Sequence, residues 1–254
     1  MMSEQFPGDS IANLNYENER IDLACAFRWT VRMGMHEAIA NHFSLAVNAD
    51  GTRFLINPKK YFSRIKASDL LLLDSNDPPD FKDPDAPDMT AWGLHGSIHR
   101  NCPHARCLIH VHPIYSTVLA SLADSNILPI DQNTALFFQR YVIDDGYGGM
   151  AFEKEGERCA SLLNDPEIKV MIMGNHGVLI IGENVADTFN RLYYFERAAE
   201  TYIKALWTGK KLRVLSDEIA EKTAGQWAAF SESSQIFFED LKAILDEEEP
   251  SYRL

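Results

Sequence analysis

His110 and His112 stand two residues apart in the run Cys107-Leu108-Ile109-His110-Val111-His112-Pro113. In a strand that spacing points both imidazoles to one face, at a separation a single metal ion bridges. A third ligand must come from elsewhere in the chain. His176 is the best candidate, because Gly174 and Gly177 let the backbone turn sharply and carry a side chain to the sheet edge. Three neutral imidazoles leave coordination positions open for substrate oxygens, the arrangement of a catalytic rather than a closed structural site. Imidazole suits zinc first, with manganese next if substrate oxygens complete an octahedron. The same residues also fit a plainer reading, in which His110 and His112 are partly buried histidines with structural partners and His176 is a turn residue.

Several other side chains have the right chemistry for a site. His95 and His99 are four residues apart in a segment that reads as a helix, on the face that should approach the metal strand. Arg100 can grip a carboxylate in bidentate fashion or cap that helix, and the cap is the reading preferred here. Lys59 and Lys60 can attract an anion, although two lysines after a strand are more often solvated. Tyr147, in Asp145-Gly146-Tyr147-Gly148-Gly149, places a phenol in a glycine-rich loop, where it serves a site or packs. His36 and Glu37 do not make a zincin motif: His42 follows His36 by six residues instead of four and leaves that helical face.

These residues need elements to hold them. Apolar residues recur at helical spacing over 17–35, with Gly34 as the stop. Runs at 43–47 and 54–56 flank Asn48-Ala49-Asp50-Gly51 and predict a hairpin, since Asp-Gly tolerates the positive φ of a tight turn. Residues 70–73 read as a buried strand, and the Asp- and Pro-rich stretch 74–88 as a surface loop. A helix is expected over 89–100, the metal strand over 107–112, and helices over 115–122 and 153–163. Strands at 170–173 and 178–181 flank Gly174-Asn175-His176-Gly177, a hairpin or sharp connection. Helical patterns at 183–207 and over the 216–248 tail complete the chain, so helices should cover a central sheet.

Composition narrows the function. A chain of 254 residues, 46% apolar, can bury one sizeable core, and a single domain over 1–254 is the expectation. A net charge of −13 repels phosphate backbones and anionic lipid surfaces, which argues against nucleic acid and membrane partners. The opening Met1-Met2-Ser3-Glu4-Gln5 lacks a basic region followed by an apolar stretch, and the cytoplasm is the expected compartment. Cys25, Cys102, Cys107 and Cys159 form no CxxC pair and suit reduced, buried thiols.

Several motifs in order resemble the class II aldolase and adducin family. Leu94-His95-Gly96-Ser97-Ile98-His99-Arg100, the His110-Val111-His112-Pro113 strand end and Gly174-Asn175-His176-Gly177-Val178 look like its consecutive signatures. Upstream, Asn41-His42-Phe43-Ser44, Phe54-Leu55-Ile56-Asn57-Pro58 and Ala67-Ser68-Asp69-Leu70 resemble its adducin-like branch, so the likeness runs over about 18–208. It implies a three-layer α/β/α fold with a mainly antiparallel central sheet, a divalent metal on His110, His112 and His176, and a homotetramer with sites between subunits. Members acting on sugar phosphates carry an acidic residue where this chain has Ala91. They hold phosphate at positions that here read His42, Lys59-Lys60 and Met89-Thr90. The expected substrate is therefore unphosphorylated.

Together these readings predict a metal-dependent lyase, retro-aldol or decarboxylating, acting on a small hydroxy or oxo acid or a hydroxylated aromatic acid. With no carboxylate at Ala91, His95 is the expected catalytic acid/base, because its ordinary pKa lies near neutrality. Loss of carbon dioxide needs only reprotonation of the product, which favours decarboxylation over an aldol step with a dedicated base. The competing class is a non-catalytic scaffold or actin-associated module of the adducin type, against which the retained histidines argue.

Overall fold

The computed structural model describes residues 15–149, 153–230 and 232–254. Seven strands, β1 (His42–Ala46), β2 (Arg53–Ile56), β3 (Leu71–Asp74), β4 (Cys107–Val111), β5 (Tyr141–Asp144), β6 (Val170–Met173) and β7 (Gly177–Gly182), form one sheet in the order β3-β2-β1-β4-β7-β6-β5. Every neighbouring pair is antiparallel except β5 and β6.

The two faces of the sheet follow from the period of two along each strand. Phe43, Leu45, Ile109, Val111, Ile172, Val178 and Ile180 enter one core with Phe27 of α1 (Glu17–Arg32) and Leu119 of α3 (Ile114–Ala120). Leu192 and Phe195 of α6 (Val185–Trp207) and Phe238 of α8 (Glu232–Glu248) complete that layer. The alternate residues Leu108, Met171, Met173, Leu179 and Ile181 face the other way, against Leu94 and Ile98 of α2 (Met89–Asn101) and Cys159 and Ala160 of α5 (Glu153–Leu162). A short α4 (Gln132–Ala135) and α7 (Asp217–Ala228) lie between and after these elements. The result is the expected three-layer α/β/α arrangement. Each fully buried Leu, Ile or Phe in these layers contributes about 1.5–3 kcal/mol relative to exposure.

The helix ends carry the chemistry that stops and starts them. Asp88 caps α2 by accepting from the Thr90 amide, Asn184 caps α6 through Asp187, and Gly34 follows α1 at φ 66°. At α5, a Cβ on Gly156 would lie 2.0 Å from the Gly93 carbonyl oxygen, so only glycine lets the two helices of the second layer approach this closely.

Three expectations need correction. The strand expected over 70–73 runs over 71–74 and is half-buried, because β3 is a sheet edge. β5 has no counterpart in the expected elements. The sheet extends to His42, one residue before the expected start of β1, where His42 pairs with His110. All four cysteines are free and buried, and burial pushes the Cys102 and Cys159 thiols up to about 11. No helix among the described residues is long and apolar enough to cross a membrane.

Candidate metal centre

Alternation on β4 sends Ile109 and Val111 into the larger core and turns His110 to the opposite face, with His112 just past the strand end. The β6–β7 turn brings in the third imidazole. Asn175 takes a left-handed φ of 57°, its amide donates to the Ala120 carbonyl at 2.9 Å, and the His176 amide donates to Met173 at 3.0 Å. A Cβ on Gly177 would lie 2.5 Å from His112 Cδ2, so the glycine makes room for the ring. The ring centroids of His110, His112 and His176 are 4.7–4.8 Å apart, and one nitrogen from each lies within 4.8 Å of the others.

The outward nitrogens decide what the inward ones can do. His110 Nδ1 lies 3.0 Å from the Val178 carbonyl oxygen, and His112 Nδ1 lies 2.6 Å from Glu37 Oε2. A carbonyl and a carboxylate only accept, so each Nδ1 carries the proton and each Nε2 presents a lone pair. These two Nε2 atoms face each other at 3.0 Å. Burial first, and the neighbouring histidines second, hold His110 well below the ordinary histidine value, and burial brings His176 down to about 4. Both are neutral at pH 7, as metal ligation requires. His176 Nδ1 is buried without a hydrogen-bond partner among the described residues. The donor set and its orientation fit a divalent ion.

The three histidines open onto a cavity of about 390 Å³ that is also lined by His42, Lys59, Asp88, Thr90 and Tyr147. Larger hollows lie beside Trp227 and Phe230 (about 560 Å³) and beside Trp92 and Arg100 (about 580 Å³). The smaller cavity is assigned as the site because it alone of the three holds the convergent imidazoles. Lys59 and Lys60 part company: Lys60 pairs with Asp69 at 2.6 Å, whereas Lys59 reaches the cavity. Tyr147 also reaches it, its ring 5.9 Å from that of His176. Burial pushes the Asp88 carboxyl up, but hydrogen bonds from the Thr90 hydroxyl and amide outweigh this and hold it below the ordinary carboxylate value.

His95 does not line this cavity. It is wholly buried; its Nε2 meets His42 Nδ1 at 2.7 Å and its Nδ1 meets Ser44 Oγ at 2.5 Å. The face of α2 that carries His95 and His99 approaches β1, the strand beside the metal strand, so His42 stands where His95 was expected. His99 also turns inward, 2.7 Å from Ser44 Oγ and stacked on Phe54. Ala91 packs with Phe54, Ile56 and Trp92. Arg100, in the last turn of α2, donates to the Ser75 carbonyl and Ser97 Oγ, away from the histidine cavity.

Sequence reasoning gave Ser44, Asp88 and Glu37 no place in the site, and met His42 only as the residue at a position where sugar-phosphate members of the resembled family hold phosphate. Glu37 lies 75 residues before the histidine it holds, and no local spacing announces that pairing.

Comparison with known proteins places these features in context. The model of the Class II Aldolase and Adducin N-terminal domain matches residues 21–203. The "Putative aldolase class 2 protein PA3430" of Pseudomonas aeruginosa is 27% identical over 92% of this chain and 91% of its own. Decarboxylase NovR of Streptomyces niveus is 26% identical over 64% of this chain and 60% of its own. Among solved structures, an aldolase II superfamily protein from Pseudomonas syringae superposes with a TM-score of 0.85 at 27% identity, over 96% of this chain and 98% of that one.

Proposed function

The chain belongs to the class II aldolase and adducin family, and from that membership we propose that it is a metal-dependent carbon–carbon lyase. Its substrate on this reading is a small unphosphorylated hydroxy or oxo acid, or a hydroxylated aromatic acid, cleaved by decarboxylation or by a retro-aldol step. One observation carries the reading: His110 Nε2 and His112 Nε2 lie 3.0 Å apart while both Nδ1 atoms are committed to oxygen acceptors. Two lone pairs at that separation repel each other, and a cation shared between them removes the repulsion. His176 supplies the third donor. Zinc is the first choice of ion and manganese the second. When bound, the ion supplies a Lewis acid that offsets the negative charge gathering on substrate oxygens as the bond breaks.

The chain's own residues do the rest. Lys59 gives an anionic substrate a local attraction in a molecule whose charge of −13 otherwise repels it. With Ala91 packed among apolar side chains, the carboxylate at the start of α2 is that of the cap Asp88, whose Oδ1 is engaged by the Thr90 amide and hydroxyl. His95, expected as the proton donor, influences the cavity through His42, and Tyr147 is a second hydroxyl or proton source at the same wall. This inventory supports decarboxylation over aldol cleavage, and the Streptomyces relative, a decarboxylase by name, points the same way. A purely structural module has no use for three imidazoles turned into an open cavity. We propose in addition that the protein assembles as a tetramer, which light scattering measures directly.

The test is a screen of unphosphorylated hydroxy, oxo and hydroxybenzoic acids for carbon dioxide release, before and after chelation. Release that stops on chelation and returns with zinc or manganese is expected. Turnover of fuculose or ribulose phosphate at ordinary enzyme rates of about 1–10³ s⁻¹ contradicts the proposal.

A further inference from the structure

Ser44 Oγ lies 2.7 Å from His99 Nε2 and 2.5 Å from His95 Nδ1, and His95 Nε2 lies 2.7 Å from His42 Nδ1. All four side chains are buried. A neutral imidazole has one N–H, and a hydroxyl has one O–H and two acceptor lone pairs; a pattern in which His95 and His99 both donate to Ser44 leaves the buried Ser44 O–H with no acceptor among the described residues, so two directions remain for the three consecutive hydrogen bonds. In the first, His99 Nε2 donates to Ser44, Ser44 donates to His95 Nδ1, and His95 Nε2 donates to His42 Nδ1. His42 then holds its own proton on Nε2, and His99 Nδ1 is a bare lone pair. In the second, every donor reverses: His42 turns a lone pair outward and His99 Nδ1 carries an N–H.

The far end of the chain selects between them. His99 Nδ1 is buried with no hydrogen-bond partner among the described residues. An orphaned buried N–H is rarer than an under-used acceptor, because the unmatched donor keeps its full desolvation penalty. The first direction therefore prevails. At the near end, His42 lines the histidine cavity and its Nε2 has no hydrogen-bond partner among the described residues.

We infer that His42 presents a fixed Nε2–H donor to the metal cavity and uses it to hold an anionic carboxylate-type oxygen of the substrate. Ser44, His95 and His99 act as positioning residues that set the direction of that donor. An Nε2 that carries a proton has no lone pair to give a metal, so the same arrangement keeps His42 from becoming a fourth ligand and leaves the ion's open positions to the substrate. The choice of substrate rests on the lyase reading above; the direction of the donor does not.

The experiment uses the metal-free full chain labelled with ¹⁵N-histidine. Long-range nitrogen–proton correlation spectra read which ring nitrogen bears the proton, and His42→Asn identifies the His42 signals among those of the eight histidines. His42 is expected to be protonated at Nε2, and Ser44→Ala, which cuts the chain, is expected to give a mixture of tautomers. A proton on His42 Nδ1 in the unmodified chain overturns the inference. In zinc-loaded protein, with oxalate as the probe, His42→Phe is expected to weaken oxalate about 10- to 100-fold, the effect of one hydrogen bond to a charged group, with zinc content unchanged. Unchanged oxalate affinity, or loss of zinc from His42→Phe, overturns it as well. A chain that shows the Nε2 proton yet takes up no zinc refutes the metal reading while the donor direction stands, so the two failures are told apart.

Discussion

A neutral imidazole carries a single ring proton, so fixing which nitrogen holds it fixes what the other can bind. Glu37 does this for His112 from a largely exposed position, at 2.6 Å. Glu37→Gln, which can accept or donate, should loosen that choice and weaken zinc affinity about 10- to 100-fold, the usual loss when such a partner is removed; competition with a chromophoric chelator measures it, and an unchanged affinity rejects the role. The buried chain behind His42 has a consequence for stability. Burial first, with Arg106 second, brings His99 down to about 3, whereas an unfolded histidine titrates near 6.5. Above pH 6.5 neither state is charged, and the native state loses nothing. Below it the unfolded chain takes up a proton that the native ring refuses, so stability falls as pH falls from 6.5 towards 3, by up to about 1.4 kcal/mol per pH unit for one ring. Urea unfolding of metal-free His99→Gln should show a shallower pH dependence than the parent over that window, and an equal slope contradicts the assignment. The paired histidines were legible because a strand's period of two is local. His42 and Glu37 were not, because the β1–β4 register and a contact across 75 residues are properties of the folded sheet.

Among the elements, α2 shows how one helix both hides and supports a site. Asp88 starts it, Ala91 packs on Phe54 and Trp92, and one and two turns later His95 and His99 reach Ser44 on β1. The helix and its inward face were readable from the sequence, yet which strand that face meets was not, since periodicity gives a direction on a helix and no partner. The same limit explains β5. Tyr141–Asp144 is four half-buried to buried residues whose pairing with β6 is parallel and reached through α5, so nothing adjacent in sequence marks it. By contrast, both antiparallel hairpins announced themselves through Asp50-Gly51 and through the glycines around His176. The packing of Ala91 also yields a prediction. Ala91→Glu places a carboxyl beside Phe54, Ile56 and Trp92, and should destabilise the fold by about 1–3 kcal/mol while conferring no turnover of fuculose or ribulose phosphate. Chemical denaturation and a coupled aldolase assay decide it, and a stable variant that turns over either sugar phosphate sinks the argument.

For the molecule as a whole, the sheet divides labour by face. One side is an apolar core closed by α1, α3, α6 and α8, and the other mixes a smaller apolar layer under α2 and α5 with the imidazoles that reach the cavity. In an acidic molecule of net charge −13, this cavity is lined by the cationic Lys59 and by four of the eight histidines, His42, His110, His112 and His176. This distribution suits a small anion held by local contacts rather than a polyanion steered from a distance. Everything in the functional account depends on His110, His112 and His176 acting as one metal centre. Elemental analysis of the purified protein and of its His110→Ala, His112→Ala and His176→Ala variants tests that most directly. The account predicts about one zinc or manganese per chain in the parent and a sharp loss in every variant that remains folded; full metal occupancy in all three variants would contradict it.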